Sequence, residues 1–244
     1  MLLIKTAFIL VLVGVSVMFL TVPAIICTIL KLLGFRKTMT VWTSKIAQFW
    51  GFFIIWLTGS KVTVIGRENI PKTGGICLVS NHGSIFDIIL NLAYVGRQFG
   101  FIAKKELLFL PFFNAWIAIL GGLFIDRINP RKGLKTINKG IKRLKAGGGI
   151  LIFPEGTRSR GQGLLPFRPG SFKLATQSGV PVVPVAISNS YNLFEVNNRL
   201  NNVPLCIEFC KPVDTAAIPP ENRKQFLADE VRDIISEALK RCPV

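Results

Sequence analysis

Between Lys5 and Lys31 the chain runs for 25 residues, 6–30, without a single charge. As an α-helix that stretch is ~37 Å long, enough to cross the ~30 Å hydrocarbon core of a bilayer. It is too long for a signal peptide, and no small-x-small cleavage site ends it. Pro23 is expected to kink it. A basic connector comes next, with Lys31, Arg36, Lys37 and Lys45, and then a second apolar segment at 46–57 that is too short to span. Trp42, Trp50 and Trp56 lie in or beside that segment, as suits a position at the membrane interface. A helix packed on the rest of the protein is the plainer explanation, but the adjacent charge-free run favours membrane. Residues 1–58 therefore read as a membrane-associated two-helix segment. It either spans once, with its basic residues holding the remainder of the chain on the cytoplasmic side, or dips into one leaflet as a hairpin. Pro23, the short second segment and a basic helix at 130–146 favour the hairpin; the length of the first segment favours the span.

From Lys61 the texture changes. Apolar runs at 62–65, 76–80, 99–104, 123–126, 149–153, 182–187 and 205–209 read as strands. Helix-period stretches at 85–95, 112–120, 130–146 and 170–178 separate them, and a last helix is expected at 221–241, with Leu227, Val231, Ile234, Ile235 and Ala238 on one face. This alternation predicts an α/β domain at 59–244, built on a mixed, largely buried sheet flanked by helices.

The net charge of +17 asks for an anionic partner: a membrane surface, nucleic acid or an acidic substrate. Residues 127–145 hold eight cations and no acid. The plain reading is a solvated face over an apolar stripe, but so many uncompensated cations also predict attraction to anionic lipid. No aromatic-interleaved surface supports nucleic acid, which is not expected as a partner. The five cysteines, Cys27, Cys77, Cys206, Cys210 and Cys242, show no framework spacing. They read as packed free thiols, which suits a reducing, cytoplasmic compartment. With one histidine in the chain, no zinc pattern is available and no metal is expected.

That one histidine, His82, comes after the strand at 76–80, and Ser84 is a good N-cap for a helix over 85–92. Residues five apart do not share a helix face. His82 must therefore sit in the loop and fold back to meet Asp87 in the first helical turn. The pair can act as a base and its orienting carboxylate. The plain alternative is a capping box, Ser84-Ile-Phe-Asp87; on this stretch alone the two readings stand level. A second stretch, Phe153-Pro-Glu-Gly-Thr-Arg-Ser-Arg160, also comes directly after a strand. Ligands gather at the carboxyl ends of strands in α/β sheets, and the forks of Arg158 and Arg160 suit phosphate. By itself this stretch is equally an ordinary turn with exposed arginines.

Together, Asn81-His82-x-Ser84-x-x-Asp87 and Phe153-Pro-Glu-Gly-Thr-Arg158 resemble signature blocks of the glycerolipid acyltransferases, above all the 1-acyl-sn-glycerol-3-phosphate acyltransferases. Ala103-Lys-Lys-Glu-Leu-Leu108 with Phe124-Ile-Asp-Arg127, and Val180-Pro-Val-Val-Pro-Val185, agree and stand in the family's order; the likeness covers 61–188. The chain departs from the pattern at Gly83, Asn114 and Arg168-Pro169, positions that bear on substrate fit rather than on a reacting group. The resemblance implies that His82, oriented by Asp87, deprotonates the sn-2 hydroxyl of lysophosphatidic acid. The alkoxide attacks an acyl thioester on coenzyme A or acyl carrier protein, and phosphatidic acid results. The thioester is a co-substrate, and no cofactor is implied. Glu155, Gly156, Thr157 and Arg158 would shape the acceptor site, with Lys104 and Arg127 as further phosphate ligands. Apolar side chains at 109–113 would line an acyl groove. The oxyanion could be held by a backbone N–H near the loop or by Lys104. The protein would sit at the cytoplasmic face of the inner membrane. Competing readings are a sibling enzyme acting on glycerol 3-phosphate or another lysolipid, a hydrolase with Ser84 as nucleophile, and a non-enzymatic basic lipid-binding protein.

Overall fold

The computed structural model describes residues 2–218 and 222–242, without the side chains of Leu2, Leu3, Lys5, Arg36 and Lys37. Glu221, with which the expected last helix begins, lies outside the described residues. Two helices open the chain, α1 (Leu2–Leu32) and α2 (Arg36–Thr58). α1 is continuous through Pro23. α2 starts well ahead of the apolar stretch at 46–57, so most of the expected basic connector is helical. Trp50 Nε1 donates to Ser16 Oγ (2.9 Å) and Lys31 Nζ to Thr43 Oγ1 (3.1 Å), which pairs the two helices antiparallel. Residues 6–32 are long and apolar enough to cross a membrane, and much of their apolar surface, such as Phe8, Phe19 and Ile26, is exposed.

The open end of this hairpin is fastened to the rest of the chain. Thr6 Oγ1 accepts from the Leu200 N–H (3.1 Å), and Ser60 Oγ, just past α2, accepts from the Val203 N–H (3.2 Å). α2 also lies along α3 (Phe86–Tyr94). Gly51 permits the approach: a Cβ there would stand 2.8 Å from the Ala93 nitrogen and 3.1 Å from the Ile89 oxygen. Gln48 Nε2 then reaches the Ala93 carbonyl at 2.9 Å.

Among the described residues seven strands form one sheet: β1 (Val62–Ile65), β2 (Ile76–Ser80), β3 (Phe99–Lys104), β4 (Leu123–Ile125), β5 (Gly149–Ile152), β6 (Val182–Ser188) and β7 (Leu205–Phe209), in the order β1-β7-β6-β2-β5-β3-β4. All neighbours are parallel except β6 and β7, which makes the sheet mixed. The inner strands β2, β5 and β7 are buried along their whole length, as expected where both faces are covered.

The alternation of side chains along the strands separates two cores. Leu78, Leu151, Val183, Val185 and Ile207 point to one face and pack with α3, Ile54 and Ile55 of α2, and Ile117 of α4 (Phe113–Ile119). Cys77, Val79, Ile150, Ile152 and Ala186 point to the other and pack with α5 (Pro130–Lys145), α6 (Lys173–Ser178) and α8 (Arg223–Arg241). The hairpin and α5 thus cover opposite faces of the sheet. In α8, Leu227, Val231, Ile235 and Ala238 are buried as their spacing predicts.

Three local expectations need correction. The stretch 170–178 divides into a 3₁₀ turn at Pro169–Phe172 and α6. A short helix, α7 (Ser190–Phe194), comes after β6 where no helix is predicted. Cys206 and Cys242 are not free thiols: they are joined, with Cα atoms 5.8 Å apart, because α8 returns along the sheet and brings its end to β7. Among the described residues Cys27, Cys77 and Cys210 are free, and all three are buried.

Candidate active site

β2 and β5 are neighbours, but their connections leave on opposite faces of the sheet, through α3 and towards α6. Such a point opens a crevice at the carboxyl ends of the strands. Asn81 ends β2 there: its Nδ2 donates to the Ile187 carbonyl (2.9 Å) and its Oδ1 accepts from the Ile187 N–H (2.8 Å). The side chain thereby satisfies the β6 backbone while the main chain turns away into the His82 loop.

His82 folds back as expected, with Nδ1 2.9 Å from Asp87 Oδ2. Asp87 is fully buried, and the same oxygen accepts from the Ser84 N–H at 2.8 Å. The capping contact and the histidine contact are therefore made by one carboxylate at once. The His82 ring lies on Phe153, centroids 4.0 Å apart and planes 20° apart. An Nδ1–H held by Asp87 leaves the Nε2 lone pair available to the cleft that His82 lines. Ser84 does not serve as a nucleophile in this arrangement. Its Oγ is buried, accepts from the Phe86 N–H (3.2 Å) and faces Glu195 Oε1 (3.5 Å), and no hydrogen bond joins it to the His82 ring among the described residues.

The loop after β5 lies against the His82 loop through backbone bonds, Ser159 N–H to the His82 carbonyl (2.7 Å) and Arg160 N–H to the Gly83 carbonyl (3.3 Å). Glu155, 3 % exposed, braces both loops: Oε1 accepts from the His82 N–H (2.6 Å) and Oε2 from the Leu165 N–H (3.3 Å). Burial pushes its carboxyl up to about 7, against the pull of those two donors, and the Asp87 charge adds to the rise. Gly156 turns the loop at φ 74°, where a Cβ would also meet the Arg168 guanidinium at 3.1 Å.

These loops border an open cleft of about 940 Å³, lined by His82, Lys104, Arg127, Gly156, Thr157 and Arg158, with Arg160 and Arg168 beside them. Five of the lining residues are cations, and the one lining carboxylate, Asp126, is engaged by Lys105 Nζ (3.1 Å) and by the backbone of Ile128 and Asn129. The surplus of charge suits a phosphate. Arg127 donates to the Gly156 carbonyl, and its burial, with Arg168 close by, lowers its pKa. The Arg158 Nη1 donates to Glu195 Oε1 at 2.7 Å.

A second cavity, about 270 Å³ and wholly apolar, adjoins the cleft; Ile85, Ile88, Phe101 and Leu107 line both. It runs between α3, α4 and the hairpin, with Val17, Trp50, Leu110, Phe113 and Trp116 in its wall. Of the stretch 109–113, Leu110 and Phe113 face it, whereas Phe109 is 85 % exposed.

The family model for acyltransferases matches residues 61–188. The chain belongs to the acyltransferase family. It is 36 % identical over 179 residues to the 1-acyl-sn-glycerol-3-phosphate acyltransferase of Salmonella typhimurium, covering 73 % of this chain and 69 % of that protein. It is 33 % identical over 186 residues to the enzyme of that name from Borreliella burgdorferi, covering 76 % and 74 %. Its fold is similar to the crystal structure of the 1-acyl-sn-glycerophosphate (LPA) acyltransferase PlsC from Thermotoga maritima, with a TM-score of 0.85, 27 % identity, and 98 % and 96 % of the two chains covered.

Every site residue named from the sequence lines this cleft or stands directly behind it, but their contacts differ in kind. His82, Lys104, Arg127, Gly156, Thr157 and Arg158 line it. Asp87 and Glu155 stand behind it, their oxygens turned to the His82 ring and the loop backbone. Two residues escaped the sequence reading. Arg168 was visible only as a departure from the family's pattern. Glu195 lies beyond the matched span, just after α7, in a stretch with no periodic signal. Its carboxylate meets Arg158, Arg160 (3.6 Å) and the Ile85 N–H (3.0 Å). Only the fold reveals that it faces the N-terminus of α3.

Proposed function

We propose that this acyltransferase moves an acyl group from a thioester, on coenzyme A or acyl carrier protein, to the sn-2 hydroxyl of lysophosphatidic acid, giving phosphatidic acid. The observation that carries the reading is the 2.9 Å His82–Asp87 pair opening on a cation-lined cleft that adjoins an apolar cavity. The 1-acyl-sn-glycerol-3-phosphate acyltransferases among its relatives point to the same acceptor.

His82 Nε2 takes the proton of the acceptor hydroxyl, and Asp87 holds the ring and steadies the imidazolium. The alkoxide oxygen attacks the thioester carbonyl carbon. The tetrahedral adduct then expels the thiolate, which takes from His82 the proton that the acceptor hydroxyl gave up. No covalent enzyme intermediate is required, since the nucleophile is the acceptor's own hydroxyl. Arg158, Arg127 and Lys104 hold the acceptor phosphate. Glu155, Gly156 and Thr157 shape the loop around it. The apolar cavity receives an acyl chain.

The acceptor and product are membrane lipids, and the hairpin is the anchor. Both of its ends are tied to one side of the α/β unit, which supports a single-leaflet insertion on the cytoplasmic face, where acyl thioesters are made. That face no longer draws support from free thiols, given the Cys206–Cys242 bridge. The test is purified protein with an acyl thioester and either lysophosphatidic acid or glycerol 3-phosphate, followed by mass analysis of the lipids. Phosphatidic acid formed from lysophosphatidic acid alone supports the reading; acylation of glycerol 3-phosphate alone, or no product, contradicts it.

A further inference from the structure

We propose that the outward face of α5 is the docking surface for an acidic protein that carries the acyl thioester to the cleft; this rests on the acyl-transfer reading above and names its donor. Gly133, Gly140 and Leu144 are buried on the sheet side of α5, with Ile137 and Ile141 packed beside them. At 100° per residue, Arg131, Lys135, Lys139 and Lys142 fall on the opposite side, with Lys132 next to them. All five are exposed, and none pairs with a carboxylate among the described residues. No acid occurs anywhere between Asp126 and Glu155.

Folding does not account for this stripe. Arg131 and Lys132 stand in the first turn, where the helix dipole disfavours cations. Arg131, Lys135 and Lys139 are like charges at i,i+4 spacing, each pair unfavourable by ~0.2–0.5 kcal/mol. Only Lys142, Arg143 and Lys145, in the last turn, are where the dipole favours them.

The bilayer is the wrong partner for it. The hairpin packs on one face of the sheet and α5 on the other. The sheet stands between them, so the stripe faces away from the hairpin. Two layer spacings of about 10 Å exceed the ~8 Å screening length at physiological salt. Nucleic acid is no better served, since residues 127–145 contain no aromatic side chain for a base to stack on. A stripe ~17 Å long suits a protein surface of opposite charge rather than one phosphate. Its position suits a donor: Asn129 caps α5 two residues after Arg127, which lines the cleft. A carrier seated along α5 would deliver its thioester over that end.

The test uses the full chain in phospholipid vesicles, with palmitoyl–acyl carrier protein and palmitoyl-coenzyme A as alternative donors. Lys135→Glu/Lys139→Glu/Lys142→Glu is expected to raise the KM for the carrier-protein donor at least tenfold and to leave that for the coenzyme A donor within twofold. Vesicle binding should be unchanged, and the corresponding triple glutamine variant should show the same pattern at smaller size. Direct binding of acyl carrier protein, measured without turnover, should weaken in parallel and with added salt. An unchanged KM for the carrier donor, an equal rise for both donors, or a loss of vesicle binding would overturn the proposal. If the native chain forms no phosphatidic acid from either donor, the acyl-transfer reading fails by itself; carrier binding that is absent or indifferent to the variants sinks the docking surface separately.

Discussion

Arg158 Nη1 lies 2.7 Å from Glu195 Oε1, and that oxygen also accepts from the Ile85 N–H at 3.0 Å. One buried carboxylate therefore ties the cleft arginine to the first turn of α3, the helix that carries Asp87. Arg158→Lys keeps the charge and loses the planar fork. It is expected to raise the KM for lysophosphatidic acid about tenfold, a change of ~1.4 kcal/mol, with a smaller effect on the thioester. Glu195→Gln should show the same pattern, and the double variant should fall short of the sum, since residues in one network couple by ~0.5–3 kcal/mol. Steady-state kinetics on each substrate checks this. Equal shifts for both substrates, or strict additivity, would contradict the linkage.

Glu155 gives the structure a pH-dependent term. Its carboxyl is raised from an ordinary 4.5 to about 7, chiefly by burial. Between those values the folded protein binds more protons than the unfolded chain, so stability falls as pH rises across that window. Glu155→Gln removes the titration and should flatten the fall. Urea midpoints of both proteins in detergent, from pH 5 to 8, test it: parallel profiles would show that Glu155 does not carry the effect.

The hairpin makes a topological prediction. Since Thr6 and Ser60 are both held by residues of the catalytic unit, the N-terminus and that unit belong on one side of the membrane. A cysteine at Ile4, which is exposed, should remain unlabelled by an impermeant thiol reagent in intact spheroplasts and react once they are lysed. Labelling above the native background in intact spheroplasts would establish a single span instead.

What the sequence made legible is what local chemistry fixes. The inner strands were visible because buried β-strands are continuous apolar runs, and the His82–Asp87 contact because a histidine five residues before the carboxylate can meet it only by folding back from the loop; choosing that pair over a capping box took the second block and the family resemblance. The rest depends on which distant segments meet. Glu195 looks like any surface glutamate until α7 sets it against α3. Cys206 and Cys242 become partners only once α8 has packed across the sheet. Glu155 sits in a legible motif, but its grip on the His82 N–H needs β2 and β5 to be neighbours, and strand order is not written in either segment.

In the proposed mechanism His82, oriented by Asp87, is the general base for acyl transfer. General bases contribute ~10²–10⁴-fold. We expect His82→Ala to lose at least ~100-fold in turnover while its unfolding midpoint and vesicle binding stay native, and Asp87→Asn to lose as much or less. Phosphatidic acid formation from lysophosphatidic acid and an acyl thioester, quantified by mass analysis for the native chain and His82→Ala, is the direct measurement. A collapse of turnover in a folded, membrane-bound His82→Ala protein is the predicted result; near-native turnover in that protein would contradict the mechanism.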